Sequence, residues 1–478
     1  IGSLETVRLL IENKARINDT DSEGRTALFH AAENGHPEIV HLLVENGANP
    51  NAVSIFNRTA LMQATVNQHL ECMNILLING ANVDHQNHFG QTALMLGSQK
   101  GDLDSVKKLL LHGAEINITS KNGFTALFMA VQKGHKDLVQ LLARFGGEIN
   151  QKEKENQRTP LVMAAVEGHT AVVELLLSLK ANPSDSDTNG MIPLQGALRS
   201  RHFETAKILI QGGSPINHQD NQGQDVLHDA ATSGDVQLVE TILEKGAETS
   251  LINQRGETAL MLAASEGHLE IAKMLLNFGA SRLIKDRFGR TAWMHAVDGG
   301  EMKLVRLLAE GGYPISKKLI FAARQGHTKS VEILLKLEAN PESLDERQWS
   351  PLMWSAKNGH AETVKILLEN GANPNGIKQG NWTPLMLAAG GGHTKTARIL
   401  LESGADFSIR DKDQWTALTW AAMKGHHSLV QMILFYGASI DEKGSDGATP
   451  LIWAASRGHT EVVKILLAKG ANPQIEDD

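Results

Sequence analysis

The chain is short of several things, and each shortage excludes a class of protein. There is a single cysteine, Cys72, in 478 residues. No disulfide framework or multi-cysteine zinc site is possible within the chain, and a reducing, intracellular and cytoplasmic setting fits best. Cys72 lies in the apolar run ECMNILL and reads as a small core residue. No apolar run approaches the length of a membrane span and no signal-peptide pattern opens the sequence, so direct membrane insertion is not expected. A basic excess is also missing: 46 Lys and Arg stand against 54 Asp and Glu, a formal charge of -8, whereas a nucleic-acid binder carries a basic stripe. What remains, 41% hydrophobic and 21% charged residues, is ordinary soluble composition. At this length a single compact core is too small a plan, which leaves several domains or a repeat array.

The sequence repeats. The Thr of the phrase T-A/P-L-x-x-A-A falls at Thr26, Thr59, Thr92, Thr125 and Thr159, then at the equivalents Ile192 and Asp225. It continues at Thr258, Thr291, the equivalent Lys317, then Ser350, Thr383, Thr416 and Thr449. The steps between these fourteen positions are 33 residues, except one of 34 and one of 26. A fixed period of this size is the signature of a stacked-repeat architecture. Each place within the period has a mechanical reason. Thr, Ser or Asp at the capping position accepts an orphan N–H at a helix start. Pro160, Pro193, Pro351, Pro384 and Pro450 follow it, at the first helical position. Leu and paired Ala, as in Leu28, Ala31 and Ala32, make a narrow apolar stripe. A Gly such as Gly35, Gly267 or Gly458 stops the first helix. A second helix follows, typified by EVVKILL at 461–467, and is ended by a Gly such as Gly47, Gly371 or Gly470. A polar turn rich in Asp, Asn and Gly then reads as a β-hairpin finger.

This pattern resembles the ankyrin repeat, close to DxxGxTPLHxAAxxGHxEIVxLLLxxGAxxN. Asp446–Asn472, DGATPLIWAASRGHTEVVKILLAKGAN, follows it almost throughout. The resemblance runs along essentially the whole chain. It implies an all-α repeat solenoid of stacked antiparallel helix pairs with β-hairpin loops, in which neighbours supply each repeat's core.

The pattern breaks in a few places. The step from Thr291 to Lys317 is seven residues short, and the missing text lies between Tyr313-Pro314-Ile315 and a first helix expected to begin near Lys318. A finger is lost there. Either the array divides into segments 1–312 and 313–478 with a kink, or the deletion is tolerated within one continuous array. The extra residue falls in QKEKENQR, 151–158, and lengthens one finger. The unit at Ile192 lacks a capping Thr and has Arg201 in place of the usual Gly. Residues 3–18 read as the second helix of a preceding, partial repeat, and no polar cap ends the chain, so the array is expected to belong to a longer protein.

The remaining motifs carry no chemistry of their own. Eleven histidines occupy one repeat position: His36, His69, His135, His169, His202, His268, His327, His360, His393, His426 and His459. The resemblance implies that they tie adjacent loops by hydrogen bonds. His36-x-Glu38-x-x-His41 is not an HExxH zinc motif. Gly390-Gly391-Gly392-His393-Thr394-Lys395-Thr396 lacks the GxxxxGKS/T phosphate-loop spacing. No catalytic residue, cofactor or metal is expected.

Specific information therefore lies in what varies. Immediately before the capping position stand Arg25 and Arg58, and later Trp349, Trp382 and Trp415 in three successive repeats. The ankyrin-like arrangement puts such residues on a concave face. The fold does not require Trp there, and Trp dominates many interfaces; the alternative is that the indoles stack along the fingers. Trp354, Trp420 and Trp453, four residues after the cap, flank the same surface or pack between helices. Trp293 replaces a consensus Leu and reads as core. Arg25 and Arg58 form a second candidate edge, for an acidic partner. Two functions are then in view: a protein–protein interaction scaffold or adaptor module holding a protein or peptide on the concave face of residues 346–460, or a regulatory array attached to a channel, kinase or nucleotide-binding domain outside these residues.

Overall fold

A computed structural model describes residues 3–309, 314–377 and 380–477. Among them helices alternate in length: first helices of mostly seven residues, second helices of mostly nine. The caps act as the sequence demands. Thr26 Oγ1 accepts the Phe29 N–H, Thr383 the Met386 N–H and Ser350 the Met353 N–H, at 3.2, 3.2 and 3.3 Å. No described helix is long and apolar enough to cross a membrane.

The chain forms two compact units, residues 1–259 with 277–280, and residues 260–276 with 281–478. The division lies ahead of residue 313. In the first unit, first helices such as Ala27–Glu33, Ala60–Val66 and Ala93–Lys100 pack each on the next. Behind them stack second helices such as Pro37–Glu45 and Leu70–Ile78. Leu28, Ala32, Val40 and Leu43 are buried in this double layer, each large side chain contributing about 1.5–3 kcal/mol of apolar burial. Cys72 is part of it, 1% exposed, and burial lifts its thiol pKa to about 11. The second unit repeats the plan through Pro351–Lys357, Pro384–Gly390, Ala417–Met423 and Pro450–Ser456.

The fingers are tighter than ladder hairpins. Isolated β-bridges join Thr20 with Thr26 and Val53 with Thr59. Most fingers are closed by one backbone bond across five residues, such as Asp21 N–H to the Arg25 carbonyl at 3.0 Å and Asp411 N–H to the Trp415 carbonyl at 3.0 Å. The 151–158 insertion lengthens its finger: Glu153 N–H reaches across to the Arg158 carbonyl. Glu replaces Asp there, and its longer arm accepts the N–H groups of Glu155, Asn156 and Arg158.

The short step needs a correction. The expected helix start near Lys318 is too late: the helix runs Ile315–Gln325, capped by Pro314 with φ -52°. Proline pre-sets a helical φ and has no N–H to leave unpaired, so the helix begins directly after it. The finger is replaced by extra helix. Tyr313 lies outside the described residues. This long helix packs on Pro351–Lys357, and Thr328–Lys336 packs on Ala292–Gly299.

The Ile192 unit is repaired by its neighbours. Gln195, fully buried, accepts the Ile192 N–H at 3.3 Å, which ties the helix start in a different way from the missing hydroxyl, and donates to the Gln224 carbonyl at 2.8 Å. Arg201 takes the left-handed φ of +62° that Gly serves elsewhere.

Candidate partner-binding surface

The fingers of the second unit are organised by carboxylates. Asp345 Oδ1 accepts the N–H groups of Arg347 and Trp349 at 2.9 and 2.8 Å. Asp411 Oδ1 accepts those of Asp413 and Trp415, both at 2.9 Å. Each carboxylate thus fixes the backbone that presents a finger tryptophan. The second oxygen takes another donor from the first helix of the repeat. Trp354 Nε1 donates to Asp345 Oδ2 at 2.8 Å, and Trp420 Nε1 to Asp411 Oδ2 at 2.9 Å. His30 contacts Asp21 at 3.0 Å and His295 contacts Asp286 at 3.1 Å in the same way. The side chain four residues after the cap therefore locks the finger.

Trp354 is only 5% exposed and, with its indole bonded to Asp345, serves the framework. Trp349, Trp382, Trp415, Trp420 and Trp453 are half-buried and keep accessible ring. Their rings touch in sequence. Trp382 lies 4.5 Å from Trp420, Trp420 lies 5.0 Å from Trp415, and Trp415 lies 4.9 Å from Trp453. Trp349 pairs with Trp354 at 4.6 Å. Tilted and edge-on contacts of this kind stabilise by about 0.5–1.5 kcal/mol each beyond area burial, and each finger indole makes them with a first-helix indole rather than with the next finger. Cations sit over the outer faces: Lys357 is 4.9 Å from the Trp349 centroid and Arg457 is 5.7 Å from that of Trp453.

Two indoles remain unsatisfied. Nε1 of Trp415 and of Trp453 are buried without an acceptor among the described residues. For Trp453 the reason is in the sequence: Gly444 stands where Asp345 and Asp411 stand in their repeats. An orphaned N–H costs about 1–3 kcal/mol, a cost that ring packing within the array does not explain.

The arginine edge is arranged differently. Arg25 is engaged by its own finger, 3.0 Å from Asp21 and 3.4 Å from Glu23. Arg58 is half-buried, and its side chain makes no ion pair among the described residues. Both arginines belong to the first unit and the tryptophans to the second.

The repeated histidines do tie neighbouring turns. Their Nε2 atoms meet carbonyls of the preceding repeat: His69 with Glu33 at 3.1 Å, His169 with Gln132 at 3.1 Å, His360 with Arg324 at 3.1 Å and His393 with Lys357 at 2.9 Å. His228, missed in the sequence, is buried between Asp225 at 2.8 Å and the Glu257 carbonyl at 2.9 Å. Both of its nitrogens are occupied, which leaves it no free lone pair for base catalysis. Gln195 holds the equivalent place one repeat earlier, and both reach the next finger's backbone.

The family comparison agrees with this architecture. A family model described as ankyrin repeats (3 copies) matches residues 1–87, 52–120, 94–187, 179–253, 227–318, 319–411 and 405–477. None of the curated proteins compared matches the chain.

Proposed function

Because the chain belongs to the ankyrin-repeat family, whose arrays are generally protein-interaction modules and typically non-enzymatic, we propose that it binds a protein partner through the tryptophan surface of its C-terminal repeats. The observation that carries this reading is the contiguous run Trp382–Trp420–Trp415–Trp453, half-buried, with two indole N–H groups unpaired. Rigid amphipathic rings flanked by cations are the composition of an interface hot spot. The finger residues supply the contact, while Trp354 and Trp420 hold the fingers in place. A polypeptide with apolar side chains suits the accessible ring faces.

The test is a triple substitution, Trp349→Ala, Trp382→Ala and Trp415→Ala, in the whole array. Affinity capture followed by mass spectrometry is expected to lose a discrete set of partners, with the far-ultraviolet circular dichroism spectrum preserved. Loss of thermal stability with an unchanged partner set assigns the rings to packing alone and refutes the proposal.

A further inference from the structure

The seven-residue deletion leaves more than a shortened connection. Most fingers hydrogen-bond the next, although among the described residues Arg287 N–H makes no such bond to the Arg255 carbonyl. Ile55 N–H donates to the Glu23 carbonyl at 2.9 Å, His88 to Phe56 at 3.1 Å and Lys121 to Phe89 at 3.0 Å. In the second unit Lys412 donates to Gly380 and Ser445 to Asp413, both at 3.0 Å. By this register the finger missing after Thr291 is the one that would donate to the Phe288 carbonyl and accept from the Glu346 N–H. Neither group makes such a bond among the described residues. Phe288 is 75% exposed beside this place.

A groove of about 540 Å³ opens between the flanking fingers, over the long helix Ile315–Gln325. Its volume lies within the range of formed binding sites, about 300–1,000 Å³. Trp293, Ile320, Phe321, Leu283 and Leu344 give it an apolar floor and sides. Charge around it is one-sided: Arg282, Lys285, Lys317, Lys318, Arg324 and Arg347 against Asp345 and Glu346. Both acids are already engaged. Asp345 is the finger clamp, and Glu346 lies 3.7 Å from Lys317.

Two donors in the groove are unmatched, whereas Lys318 Nζ donates to the Ala309 carbonyl at 3.3 Å. Trp293 is 2% exposed and its Nε1 has no acceptor among the described residues. Arg282 Nε is likewise buried without a partner. Lys318 sits 5.4 Å from the Trp293 ring, and burial, reinforced by the charge of Arg282, lowers its pKa. A site crowded with donors and cations over an aromatic floor matches a ligand with carboxylates and an apolar side chain. The open backbone register of two fingers selects a polypeptide, since an extended chain supplies both a carbonyl and an N–H.

We propose that the missing-finger groove is a docking site for an acidic peptide segment of a partner protein, which takes the place of the lost finger and inserts one bulky apolar side chain over Trp293 and Phe321. The Trp382–Trp453 surface is separate from it.

The test uses fluorescein-labelled nine-residue synthetic peptides, rich in Asp and Glu around one Leu or Trp, titrated with the whole array and read by fluorescence anisotropy. Matched peptides with Lys for each acid, and pyrophosphate as a small anion, are the comparisons. Acidic peptides are expected to bind, with affinity falling as salt rises. The double variant Arg282→Glu, Arg347→Glu is expected to weaken binding about tenfold or more, the step that roughly 1.4 kcal/mol produces. A second variant inserts a seven-residue finger sequence ahead of Pro314, restoring the 33-residue step, and is expected to abolish binding by filling the groove. Trp415→Ala with Trp453→Ala is expected to leave it unchanged. Equal binding of acidic and basic peptides, or insensitivity to both groove variants, overturns the proposal. Pyrophosphate binding with the same residue dependence, and no gain from the peptide, assigns a small-anion site instead and also overturns it.

Discussion

Replacing Trp420 by Phe isolates the finger clamp. Asp411 is 1% exposed. Its Oδ1 keeps the Asp413 and Trp415 N–H groups, but its Oδ2 has the Trp420 indole as its donor, at 2.9 Å. A hydrogen bond to a charged group contributes about 1.5–3 kcal/mol, and an unsatisfied buried carboxylate oxygen sits toward the upper end. The ring also loses area on Trp382 and Trp415, and this second cost needs its own control. Trp453→Phe provides it: the position in the repeat is the same, the ring contacts Trp415, and Gly444 leaves no carboxylate to lose. The cost of Trp420→Phe is expected to exceed that of Trp453→Phe by about 2 kcal/mol. Trp420→His is expected to recover much of the difference, because His295 makes the equivalent bond to Asp286 at 3.1 Å. Repeat arrays need not unfold in one step, so the local readout is hydrogen exchange at the Trp415 amide, which Asp411 holds. Equal costs for the two Phe variants, or no rescue by His, refute the clamp.

Two further predictions test the frame. Gly359→Ala meets a φ of +76° and the His393 ring 2.5 Å from the new methyl, displacing a ring bonded to the Lys357 carbonyl; strain and the lost bond together are expected to cost about 2 kcal/mol. Gly371→Ala, at φ +86° with open space around it, is expected to cost about half that from strain alone, and equal losses in thermal melts of the two variants contradict the histidine tie. Burial raises the Asp229 pKa to about 6, against the opposing pull of Arg199. A folded-state pKa above the unfolded one means the folded state holds the proton longer, so this contribution is present below about pH 4 and lost as pH rises through 6. Wild type is expected to lose up to about 3 kcal/mol relative to Asp229→Asn between pH 4 and 7, read as the difference in urea midpoints, and a pH-independent difference contradicts the assignment.

How much of this was legible depends on whether a feature is local. The capping Thr, the Ala pair and the helix-stopping Gly act within one turn, so the 33-residue period disclosed them directly. The histidine tie joins residues 36 or 37 apart, and repetition made it readable only through resemblance. The clamp was written in the chain as Asp21–His30, Asp286–His295, Asp345–Trp354 and Asp411–Trp420, each nine residues apart. It stayed hidden because two unrelated side chains, imidazole and indole, fill the donor role. Trp354 consequently read as either flanking the surface or packing between helices, and its N–H holds it inside. The start of the long helix was misjudged for a different reason: alignment to the period set the expected start, whereas Pro314 sets it physically.

Both candidate surfaces lie in the second unit. In a stacked repeat every neighbour repeats the same contacts, so a residue satisfied within the period has nothing left for a partner. Some of the unsatisfied donors arise where the period fails. Gly444 removes a carboxylate and strands the Trp453 indole. The deletion before Ile315 removes a finger and leaves the Arg282 and Trp293 donors without acceptors. The Ile192 unit is the instructive contrast. It breaks the pattern as visibly, with no capping hydroxyl and no stop glycine, yet Gln195 bonds on both sides, and Arg199 pairs with Asp220 at 2.7 Å and with Asp229 at 3.0 Å; what stays unpaired beside it, Asp229 Oδ2 and Gln224 Oε1, are buried acceptors rather than donors. A departure from the repeat makes a candidate surface when it strands donors beside apolar rings, as at Gly444 and ahead of Ile315; the Ile192 unit strands none.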